Sequence, residues 1–585
     1  MSRLAAPADV RCRTATPAIT AALPASLHPV VRRVLAAREV SPQQLKPGLA
    51  HLLPVGELPG VEAVAARLTE ARISGERVLV IGDFDADGAT ATALALTCLR
   101  AFGFQQPDFL VPDRFHLGYG LSPAIAELAA SRPADQRPQL LLTVDNGITS
   151  VDGVRRAREL GMEVLITDHH LVGDALPDGA LIVNPNLPGS TFGSPALCGV
   201  GVAFYVFAAV GRHLAELDLI SKDQARETVT DCLDLVALGT VADLVPLDYN
   251  NRILVGEGLR RVRAGRARPG IEALFRIAGR DPAQARSADL GFAIAPRLNA
   301  AGRLTDMSLG INCLLAPDEA AARQLALQLD ALNTERRALQ ARMQAEASEL
   351  LAELPAADNA SAICLFDERW HEGIVGLVAS RLRENTGLPA IAFARATEPG
   401  WLRGSARSVP GLHVRDAIAA ALITLPAEIA ARVRFGGHAM AAGLSMPEVD
   451  MPAFRDALDV AVATASGGLQ SGPAIVWTDG PLESADLQLQ MAETLADHGP
   501  WGQGFPEPLF DNEFVIREQR VVGEGHLQLK VQLAAGEPLL AGIAFNCPAL
   551  PGAPPHRARL VYRLDVNHFR NNRSAQLVVE HLEYV

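Results

Sequence analysis

The sequence predicts a multidomain α/β protein with a parallel-sheet domain, a long connecting helix, a second α/β domain and a small C-terminal all-β module. Between residues 60 and 250, short unbroken apolar runs alternate with helical stretches, which is the pattern of strand-helix-strand units around a parallel sheet. Residues 318–354 contain no glycine and are rich in helix-forming residues, which favours one long helix. Alternation over 527–533 and the apolar run 577–579 indicate strands of a final β-rich module.

Length and composition divide the chain into five parts. At 585 residues it is too long for one hydrophobic core. Proline stands just outside both ends of the helical stretch, at 317 and 355, and a helix of this length is expected to be a spacer between domains rather than a core element. Residues 466–473 have the composition of a linker. The expected parts are an N-terminal segment at 1–60, the parallel-sheet domain at 61–312, the connecting helix at 313–356, the second α/β domain at 357–465 and the all-β module at 466–585.

Cysteine usage argues against a disulfide-bonded or zinc-stabilised protein, and hydropathy argues against a secreted or membrane protein. The seven cysteines are scattered singly with no Cys-x-x-Cys pair, which favours reduced thiols over a disulfide or zinc framework. The first residues lack the apolar core of a secretory signal. The longest weakly polar run, 196–211, is interrupted by glycine and is shorter than the roughly 18 apolar residues of a membrane span. We therefore expect a cytoplasmic protein that does not associate with membranes.

Charge is distributed unevenly along the chain. The net charge of −13 argues against a protein that coats nucleic acid, because phosphate contacts need Lys and Arg. Between Arg252 and Arg303, however, eleven arginines face only four carboxylates. A basic region inside an acidic chain is typical of a local phosphate track. A solvated arginine-rich surface explains the same pattern equally well.

Three of the strand-like runs end in carboxylates or histidines. In open parallel sheets, ligands bind beyond the carboxyl ends of the strands, so we expect these side chains to meet at one edge of the sheet. Aspartate oxygen and histidine nitrogen are ligands for divalent metals, and this mixture suits Mn²⁺, with Mg²⁺ and Zn²⁺ left as alternatives. The run 78–81 is followed by Asp83, Asp85 and Asp87, the run 140–144 by Asp145, and the run 164–167 by Asp168, His169 and His170.

Each of these patterns also has an ordinary structural explanation. Asp-Ala-Asp-Gly at 85–88 and Asp-Asn-Gly at 145–147 are common turn sequences, and adjacent histidines can lie in a loop. The combination is stronger than its parts. Carboxylates and an imidazole around two cations roughly 3.5 to 4 Å apart form a site that stabilises in-line displacement at phosphorus. The sequence therefore predicts a two-metal phosphoesterase.

The chain resembles the DHH phosphoesterase family in four segments. These are Asp-Phe-Asp-Ala-Asp-Gly at 83–88, Val-Asp-Asn-Gly at 144–147, Thr-Asp-His-His at 167–170 and Ala-Leu-Gly-Thr-Val-Ala-Asp-Leu-Val-Pro-Leu at 237–247. The metal ligands that the resemblance implies are Asp85, Asp87, Asp145, His169, His170 and Asp243. It further implies that Asp145 bridges the two ions and that Asp83 and Asp168 support the catalytic site. Phe84 stands where the family usually has tyrosine, and because the ring is retained we expect packing and chemistry to be unaffected.

Two arginine-containing segments resemble those of the family's single-strand-specific DNA exonucleases. In 112–120, Arg114 matches the arginine that meets the 5′-terminal phosphate. In 295–303, Arg297 and Arg303 match a stretch that lines the DNA path. An enzyme that selects chain ends must bind a terminal phosphate better than internal ones, and the bidentate fork of arginine suits that task.

The second α/β domain resembles the DHH-associated domain of the family, in the string Phe-Gly-Gly-His-Ala-Met-Ala-Ala-Gly at 435–443. Gly436 and Gly437 allow backbone N–H groups to approach a phosphate closely, and His438 can donate a hydrogen bond there. Ser405 and Arg407, shortly before, alternate on the chain as a phosphate clamp requires.

The C-terminal residues resemble the oligonucleotide-binding barrel, or OB fold, of these exonucleases. The string 498–510 resembles the Gly-Pro-aromatic-Gly-x-Gly run that precedes that barrel. Phe569 and Arg570 lie between His568 and Arg573 near the end of the chain, and OB folds bind single strands through such basic and aromatic groups. A hairpin turn with ordinary surface residues accounts for the same four residues equally well.

The resemblance implies a single-stranded-DNA-specific 5′-to-3′ exonuclease of DNA repair and recombination, which uses Mn²⁺ or Mg²⁺ in a two-metal site to release nucleoside 5′-monophosphates. It implies a monomer that acts on single-stranded DNA with a 5′ end, beside a RecQ-type helicase and a single-strand-binding protein. Two alternatives stay open. One is another DHH phosphoesterase acting on cyclic dinucleotides or short RNA, against which the OB-like tail argues. The other is an inactive DNA-binding scaffold, against which the complete ligand set argues.

Overall fold

The computed structural model describes residues 8–45, 47–113, 120–173, 175–353, 360–466, 474–523, 525–547, 549–550, 556–569 and 572–584. It confirms the predicted fold class: a parallel-sheet domain, a long helix, a second α/β domain and a closed C-terminal barrel. Within these residues, no helix is both long enough and apolar enough to cross a membrane.

The sheet of the first domain has five parallel strands in the order β3-β2-β4-β5-β6. Its strands are β2 (Val78–Ile81), β3 (Asp108–Leu110), β4 (Leu140–Val144), β5 (Glu163–Thr167) and β6 (Leu181–Val183). Every residue of β2 and β4 is buried, as their unbroken apolar runs predict. The order reverses at β2, which is flanked by β3 on one side and β4 on the other. Such a switch point, at the carboxyl ends of the strands, is where α/β sheets hold their ligands.

Helices cover both faces of this sheet. One face packs against α3, α4 and α7, with α9 packed on α4 and α7, and the other face packs against α5 and α6. Helix α4 is buried along almost its whole length, because its alanines and leucines pack against α7 and α9 as well as the sheet. The helices of the N-terminal segment and first domain are α1 (Pro17–Ala22), α2 (Pro29–Ala36), α3 (Val61–Ser74), α4 (Ala86–Ala101), α5 (Pro123–Ala130), α6 (Val151–Glu159), α7 (Gly199–Glu216), α8 (Lys222–Thr230), α9 (Leu233–Ala242), α10 (Tyr249–Arg263), α11 (Pro269–Ile277), α12 (Ser287–Asp289), α13 (Ala295–Leu304) and α14 (Ser308–Leu314).

The connecting helix, α15, runs from Glu319 to Glu353. The expectation that it is only a spacer is wrong. Ala326 and Leu329 in its first half are buried in the core of the first domain, and Met343 and Ala347 in its second half are buried in a core of the second domain. The helix therefore stabilises both domains and fixes one against the other.

The second domain has a five-stranded mixed sheet in the order β10-β11-β9-β8-β7, in which only β7 and β8 are parallel. Its strands are β7 (Ile363–Phe366), β8 (Ala390–Arg395), β9 (Trp401–Arg407), β10 (Arg434–Gly437) and β11 (Ala441–Pro447), and its helices are α16 (Val375–Thr386), α17 (Val414–Thr424), α18 (Ala427–Ala430) and α19 (Met451–Ser466). Strand β9 alternates buried and half-buried residues, so it presents every second side chain to α16.

The C-terminal module is a closed five-stranded barrel preceded by a strand and a helix. Strand β12 (Ala474–Thr478) pairs in parallel with the N-terminal strand β1 (Ala8–Cys12), so the first strand of the chain meets the start of the last module. Helix α20 (Leu489–Asp497) follows. The barrel strands are β13 (Phe510–Val522), β14 (His526–Gln532), β15 (Leu540–Ala544), β16 (His556–Phe569) and β17 (Asn572–Tyr584), in the order β13-β14-β15-β17-β16. Full closure leaves no free sheet edge.

Candidate metal centre

The loop between β2 and α4 carries the first three carboxylates of the cluster. Asp85 is the N-cap of α4, and its Oδ1 accepts a hydrogen bond of 3.0 Å from the backbone N–H of Gly88. The Oδ1 of Asp83 accepts one of 2.7 Å from the N–H of Phe84. A Cβ on Gly88 would lie 2.6 Å from the Cβ of Asp83, so only glycine allows this turn to close. The turn thus gathers Asp83, Asp85 and Asp87 at the start of one helix.

Asp87 is anchored by a distant helix. Its two carboxylate oxygens accept hydrogen bonds of 2.7 and 3.0 Å from the backbone N–H groups of Gly199 and Val200, at the start of α7. Those groups carry the positive end of the helix dipole, which stabilises a carboxylate. Asp87 is only 1% exposed, so its position is set by α4 and α7 together.

Asp145 follows β4 in an unusual backbone conformation. Its φ is 62°, a left-handed value that non-glycine residues rarely adopt, and its N–H donates to the carbonyl of Thr167 at 2.9 Å. The next residue, Asn146, donates from Nδ2 to the carbonyl of Ile81 at 3.0 Å, which ties the ends of β2 and β4 together. A Cβ on Gly199 would lie 2.4 Å from the Oδ1 of Asp145. These constraints aim the carboxylate into the space between β2, β4 and α7.

His169 lies among three carboxylates. Its Nε2 is 3.1 Å from an oxygen of Asp145, 3.5 Å from one of Asp243 and 3.9 Å from one of Asp87. This nitrogen is buried and makes no hydrogen bond of acceptable geometry with any residue that the structure describes. A buried nitrogen in such surroundings is costly unless a cation or proton is shared with the oxygens around it.

The carboxylate of Asp168 is hydrogen-bonded to both histidines. Its Oδ1 accepts hydrogen bonds from the N–H groups of His169 and His170, at 2.7 and 3.1 Å, and lies 2.7 Å from Nδ1 of His170. Its Oδ2 accepts one of 2.9 Å from the N–H of Ile148. A carboxylate on Nδ1 fixes the ring and directs Nε2 away from it, which is the arrangement around many metal-binding histidines.

Asp243 ends α9 at the open side of the cluster. It is the C-cap of that helix, and the following Leu244 has a φ of 59° and is 68% exposed. The chain therefore turns sharply immediately after the carboxylate. Sequence reasoning without the family resemblance treats Asp243 as an ordinary helix end, because its partners lie far away in the chain.

The donor atoms form three overlapping groups. In each group, one atom from every residue lies within 4.8 Å of the others: Asp145, His169 and His170; Asp87, His169 and Asp243; and Asp83, Asp85 and Asp145. Asp145 and His169 each belong to two groups. Overlapping oxygen-rich groups of this kind fit a pair of neighbouring divalent cations, and the imidazoles favour Mn²⁺ among the hard ions.

Burial and mutual repulsion disfavour the ionised form of the clustered carboxylates when no cation is bound. Burial, followed by the charge of Asp85, raises the pKa of Asp87 to about 7. Burial and the charge of Asp87 raise the pKa of Asp243 to about 9 and also raise the pKa of Asp145. Each carboxylate thus resists ionisation because its neighbours are also acids. Divalent cations at this position would remove that penalty.

The two histidines differ in their protonation. Burial and the neighbouring charge of His170 lower the pKa of His169 to about 4, so its ring is neutral at physiological pH. Burial lowers the pKa of His170 as well, but the hydrogen bond and charge of Asp168 outweigh it and raise that pKa to about 9. A neutral imidazole can bind a metal directly, whereas His170 must first release a proton.

Ser405 and Arg407 meet on β9 beside the first turn of α16. Arg407 donates from Nη1 to Ser405 Oγ at 2.8 Å and from Nε to Ser380 Oγ at 3.2 Å. A Cβ on Gly376 would lie 2.9 Å from Nη2 of Arg407, so that glycine lets the helix approach the guanidinium. A mostly buried arginine at the N-terminus of a helix is a favourable place for an anion. The sequence did not predict that Gly376 would lie against Arg407.

The glycine-histidine string brings the second domain toward the histidine pair of the first. Gly436 and Gly437 end β10, and the N–H of His438 donates to the carbonyl of Ala441 at 2.8 Å. Burial, followed by the charge of His170, lowers the pKa of His438. The influence of His170 indicates that the two histidines, 268 positions apart in the chain, lie near each other.

Arg297 and Arg303 have different partners in the structure. The guanidinium of Arg297 is mostly buried and pairs with Asp330 of α15, at 2.9 Å from Nε. Arg303 is half-buried, and its Nη1 donates to the carbonyl of Gly373 in the second domain at 3.3 Å. The contacts of Arg297 therefore stabilise the packing of α13 on α15, while Arg303 lies at the junction of the two domains.

Three residues that were expected to contact substrate have side chains outside the described part of the structure. Arg114 and Arg570 lie outside the described residues. Phe569 is the last described residue of β16, and its side chain lies outside them as well.

Helix α13 supports the loop that carries Asp83, Asp85 and Asp87, a contact that the sequence did not predict. Asn299 Oδ1 accepts a hydrogen bond of 2.8 Å from the N–H of Ala86. A Cβ on Gly302 would lie 1.8 Å from the carbonyl oxygen of Phe84, so the helix backbone rests directly on the loop. An asparagine and a glycine inside a helical stretch were the available signal, since both are poor helix formers.

Family models and solved structures match the three domains. The model for the N-terminal domain of the DHH family matches residues 77–240, the DHHA1 domain matches 359–464 and the RecJ OB domain matches 478–581. The structure of RecJ from Thermus thermophilus in complex with Mn²⁺ is 30% identical, with a TM-score of 0.79 over 99% of this chain and 80% of that one. The structure of its Mg²⁺ complex is 29% identical, with a TM-score of 0.74 over 99% of this chain and 79% of that one.

Curated relatives match nearly the full length. The single-stranded-DNA-specific exonuclease RecJ of Salmonella typhimurium is 47% identical over 568 residues, which is 96% of this chain and 97% of that protein. The RecJ of Escherichia coli is 46% identical over 570 residues, with the same coverage. With identity of this level over almost every residue of both proteins, the chain belongs to the RecJ family of single-stranded-DNA-specific exonucleases.

Proposed function

We propose that this protein degrades single-stranded DNA from the 5′ end by metal-dependent hydrolysis and releases nucleoside 5′-monophosphates. The observation that carries the proposal is the sharing of Asp145 and His169 between overlapping donor groups. Two features of the second domain support it: the hydrogen bond between Ser405 and Arg407, and the influence of the charge of His170 on the pKa of His438. The shared donor groups suit hydrolysis of a phosphodiester, and the serine, arginine and histidine suit recognition of a terminal phosphate.

The donor set fits two divalent cations, Mn²⁺ or Mg²⁺. The buried Nε2 of His169 and the raised pKa values of Asp87, Asp145 and Asp243 are both relieved by bound cations. The proposed ligands are Asp85, Asp87, Asp145, His169, His170 and Asp243. Asp145 would lie between the ions, and Asp83 and Asp168 would support the ligands. When bound, the ion pair supplies Lewis acidity at the scissile phosphate and lowers the pKa of the attacking water.

Residues of the chain orient this chemistry. Asp168 fixes the ring of His170 through Nδ1, so that Nε2 faces the cluster. The N–H groups of Gly199 and Val200 hold Asp87 in one orientation. Because these contacts exist before substrate arrives, little reorganisation is needed at the moment of reaction. No side chain needs to act as a covalent nucleophile.

We assign the 5′ polarity to recognition of the terminal phosphate by Ser405, Arg407 and the Gly436–His438 turn. Arg407 is held by Ser405 and Ser380, so its guanidinium loses little freedom when an anion binds. We assign the backbone of Gly436 and Gly437 and the ring of His438 to the same phosphate. We assign Arg114 to the same phosphate, and Arg303, at the domain junction, to the path of the strand. Phe569 and Arg570 are proposed as contacts of the barrel.

The role in the cell follows from the substrate. A nuclease restricted to single strands cannot open a duplex, so it needs a helicase to supply its substrate. We propose a RecQ-type helicase and a single-strand-binding protein as partners in DNA repair and recombination. We also propose that the enzyme is a cytoplasmic monomer. Its proposed parts are 1–60, 61–312, 313–356, 357–465 and 466–585.

A substrate panel tests the proposal. Long single-stranded DNA, short RNA and a cyclic dinucleotide would be incubated with the enzyme and Mn²⁺, and the products separated by chromatography. We expect rapid release of mononucleotides from the long DNA. Faster turnover of the cyclic dinucleotide or the short RNA would assign the chain to a different activity of the DHH family.

A further inference from the structure

The segment from His498 to Pro506 packs between the catalytic domain and the N-terminal segment. Trp501 and Phe505 stack on each other, with ring centroids 4.8 Å apart and planes 12° apart. The guanidinium carbon of Arg252, on α10, lies 4.1 Å from the centroid of Phe505. That of Arg38, after α2, lies 5.4 Å from the centroid of Trp501. We call these four side chains the aromatic stack.

The backbone around the aromatic stack also contacts the catalytic domain directly. The carbonyl of Gln503 accepts a hydrogen bond of 2.7 Å from the N–H of Leu247 in the catalytic domain. A Cβ on Gly502 would lie 2.7 Å from Cδ1 of Leu247, and one on Gly504, which has a φ of 70°, would lie 3.1 Å from Pro246. The glycines of this segment therefore permit close contact with the catalytic domain.

The N-terminal segment binds the C-terminal module through Arg38. Arg38 is bidentate to Asp479 of the C-terminal module, at 2.7 and 3.0 Å, and donates to the carbonyl of Pro506 at 2.8 Å. The side chains of Arg38 and Asp479 are 3% and 0% exposed. A fully buried bidentate pair holds one geometry, because any displacement leaves a charge unpaired in the interior.

The surface that receives the segment is fixed by the catalytic domain itself. Asn251 donates from Nδ2 to the carbonyls of Pro246 and Ala196, at 3.0 and 2.9 Å. Asp248 caps α10 and accepts a hydrogen bond from Ser194 at 2.7 Å. The Pro246–Leu247 ledge, shortly after Asp243 in the chain, therefore keeps its position without help from the C-terminal module.

We propose that Trp501 and Phe505 are positioning residues that fix the barrel to the catalytic domain and thereby determine how tightly a long DNA strand is held, without contacting DNA. The proposal rests on the single-strand exonuclease function proposed above. The faces of the two rings are occupied by each other and by two arginines, so they do not serve as base-stacking platforms. Because the ledge is held independently, loosening the aromatic stack weakens the attachment of the barrel and leaves the metal centre unchanged. The buried Arg38–Asp479 pair and the ion pair of Arg286 with Asp565 of β16 keep the barrel attached, so its hold on the catalytic domain is loosened and not lost.

The test compares two substrate lengths. Phe505→Ala, Phe505→Tyr and wild type would be assayed with Mn²⁺ on single strands of about 4 and about 40 nucleotides, since one OB fold spans roughly 4 to 16 nucleotides. For Phe505→Ala we expect KM on the long strand to rise about tenfold, with kcat within about twofold, because the barrel is held less firmly as a second binding surface. Both constants on the short strand should be unchanged. Phe505→Tyr, which keeps the ring, should behave as wild type.

Two further measurements keep the test decisive. Small-angle scattering should give a larger radius of gyration for Phe505→Ala than for wild type, whether or not the protein is an active nuclease. Val521→Ala, an exposed barrel position outside the aromatic stack, is the control and should match wild type in scattering and kinetics. If Phe505→Ala does not fold, Arg252→Lys, which keeps the charge but removes the planar group, replaces it. Equal loss of kcat on both lengths, or no change on either, would overturn the proposal.

Discussion

The Nε2 atom of His169 lies 3.1 Å from an Oδ1 atom of Asp145, and both atoms are buried. The histidine follows β5 and the aspartate follows β4, so the contact joins the ends of two adjacent parallel strands. Asp145 reaches it only through a left-handed backbone conformation. Backbone strain of this kind persists where surrounding contacts enforce it, and here it aims a carboxylate at a proposed cation pair.

Replacing Asp145 with asparagine should abolish the nuclease while sparing the fold. We expect metal-dependent digestion of single-stranded DNA to fall at least about 1,000-fold, as for loss of a central electrostatic group. Binding of single-stranded DNA, measured by fluorescence anisotropy, should persist. Thermal stability of the metal-free variant should not decrease, because burial and neighbouring acids raise the pKa of Asp145 and disfavour its charge. Asp135→Asn, at an exposed position, is the matched control. Full residual activity would refute the role of Asp145.

Mn²⁺ affinity should rise with pH between about 6 and 9, because binding must displace protons. Asp87 has a pKa of about 7, and Asp243 and His170 have pKa values of about 9. Titration calorimetry in buffers of different ionisation enthalpy would count the protons released. An affinity independent of pH would contradict these protonation states.

The same groups predict the stability of the metal-free protein. In this pH range the folded state binds more protons than the unfolded state, because the folded pKa values of Asp87 and Asp243 are raised. Stability should therefore decrease as pH rises from about 6 to 9, and Mn²⁺ should reverse the trend. Thermal unfolding at several pH values, with and without Mn²⁺, measures this. A melting temperature of the metal-free protein that increases over this range would count against the proposed cluster.

Arg407→Ala should weaken recognition of the 5′ phosphate. Loss of charge-assisted hydrogen bonds predicts a rise in KM of about 10- to 100-fold for 5′-phosphorylated DNA. KM for the same strand with a 5′ hydroxyl should change little. Arg395→Ala, on neighbouring β8 and paired with Glu368, is the control. If the variant keeps the preference for phosphorylated ends, the pocket lies elsewhere.

Asn299→Ala should reduce metal affinity although Asn299 is not a proposed ligand. It removes the acceptor for the N–H of Ala86, between Asp85 and Asp87. Residues that orient ligands typically change metal affinity by about 10- to 100-fold when mutated. Calorimetry with Mn²⁺ measures the loss, and Asn299→Asp, which retains the acceptor, should recover part of it. Unchanged affinity would leave Asn299 with a packing role only.

Local sequence patterns predicted the strands and the edge at which the candidate site lies. Apolar runs located β2, β4 and β5, and parallel pairing then brings their carboxyl ends together. The sequence could not predict contacts that depend on tertiary packing. Asp87 is held by N–H groups at 199 and 200, and β1 pairs with β12 from the opposite end of the chain.

The arginines illustrate the same limit. The sequence places Arg297 and Arg303 six positions apart and suggests one role for both. The fold pairs Arg297 with Asp330 of the connecting helix and gives Arg303 a contact in the second domain. Periodicity along one helix carries no information on which neighbouring helix supplies an acid. Their roles in binding DNA stay predictions.

Digestion of end-labelled DNA tests the central claim most directly. A 5′-phosphorylated single strand labelled at its 5′ end, the same strand labelled at its 3′ end, and a blunt duplex would each be incubated with the enzyme in Mn²⁺ and in EDTA. We predict immediate release of a labelled 5′-mononucleotide from the first, progressively shorter labelled fragments from the second, an intact duplex, and no reaction in EDTA. Release of labelled mononucleotide from the 3′ end at the outset, digestion of the duplex, or activity in EDTA would contradict the proposed function.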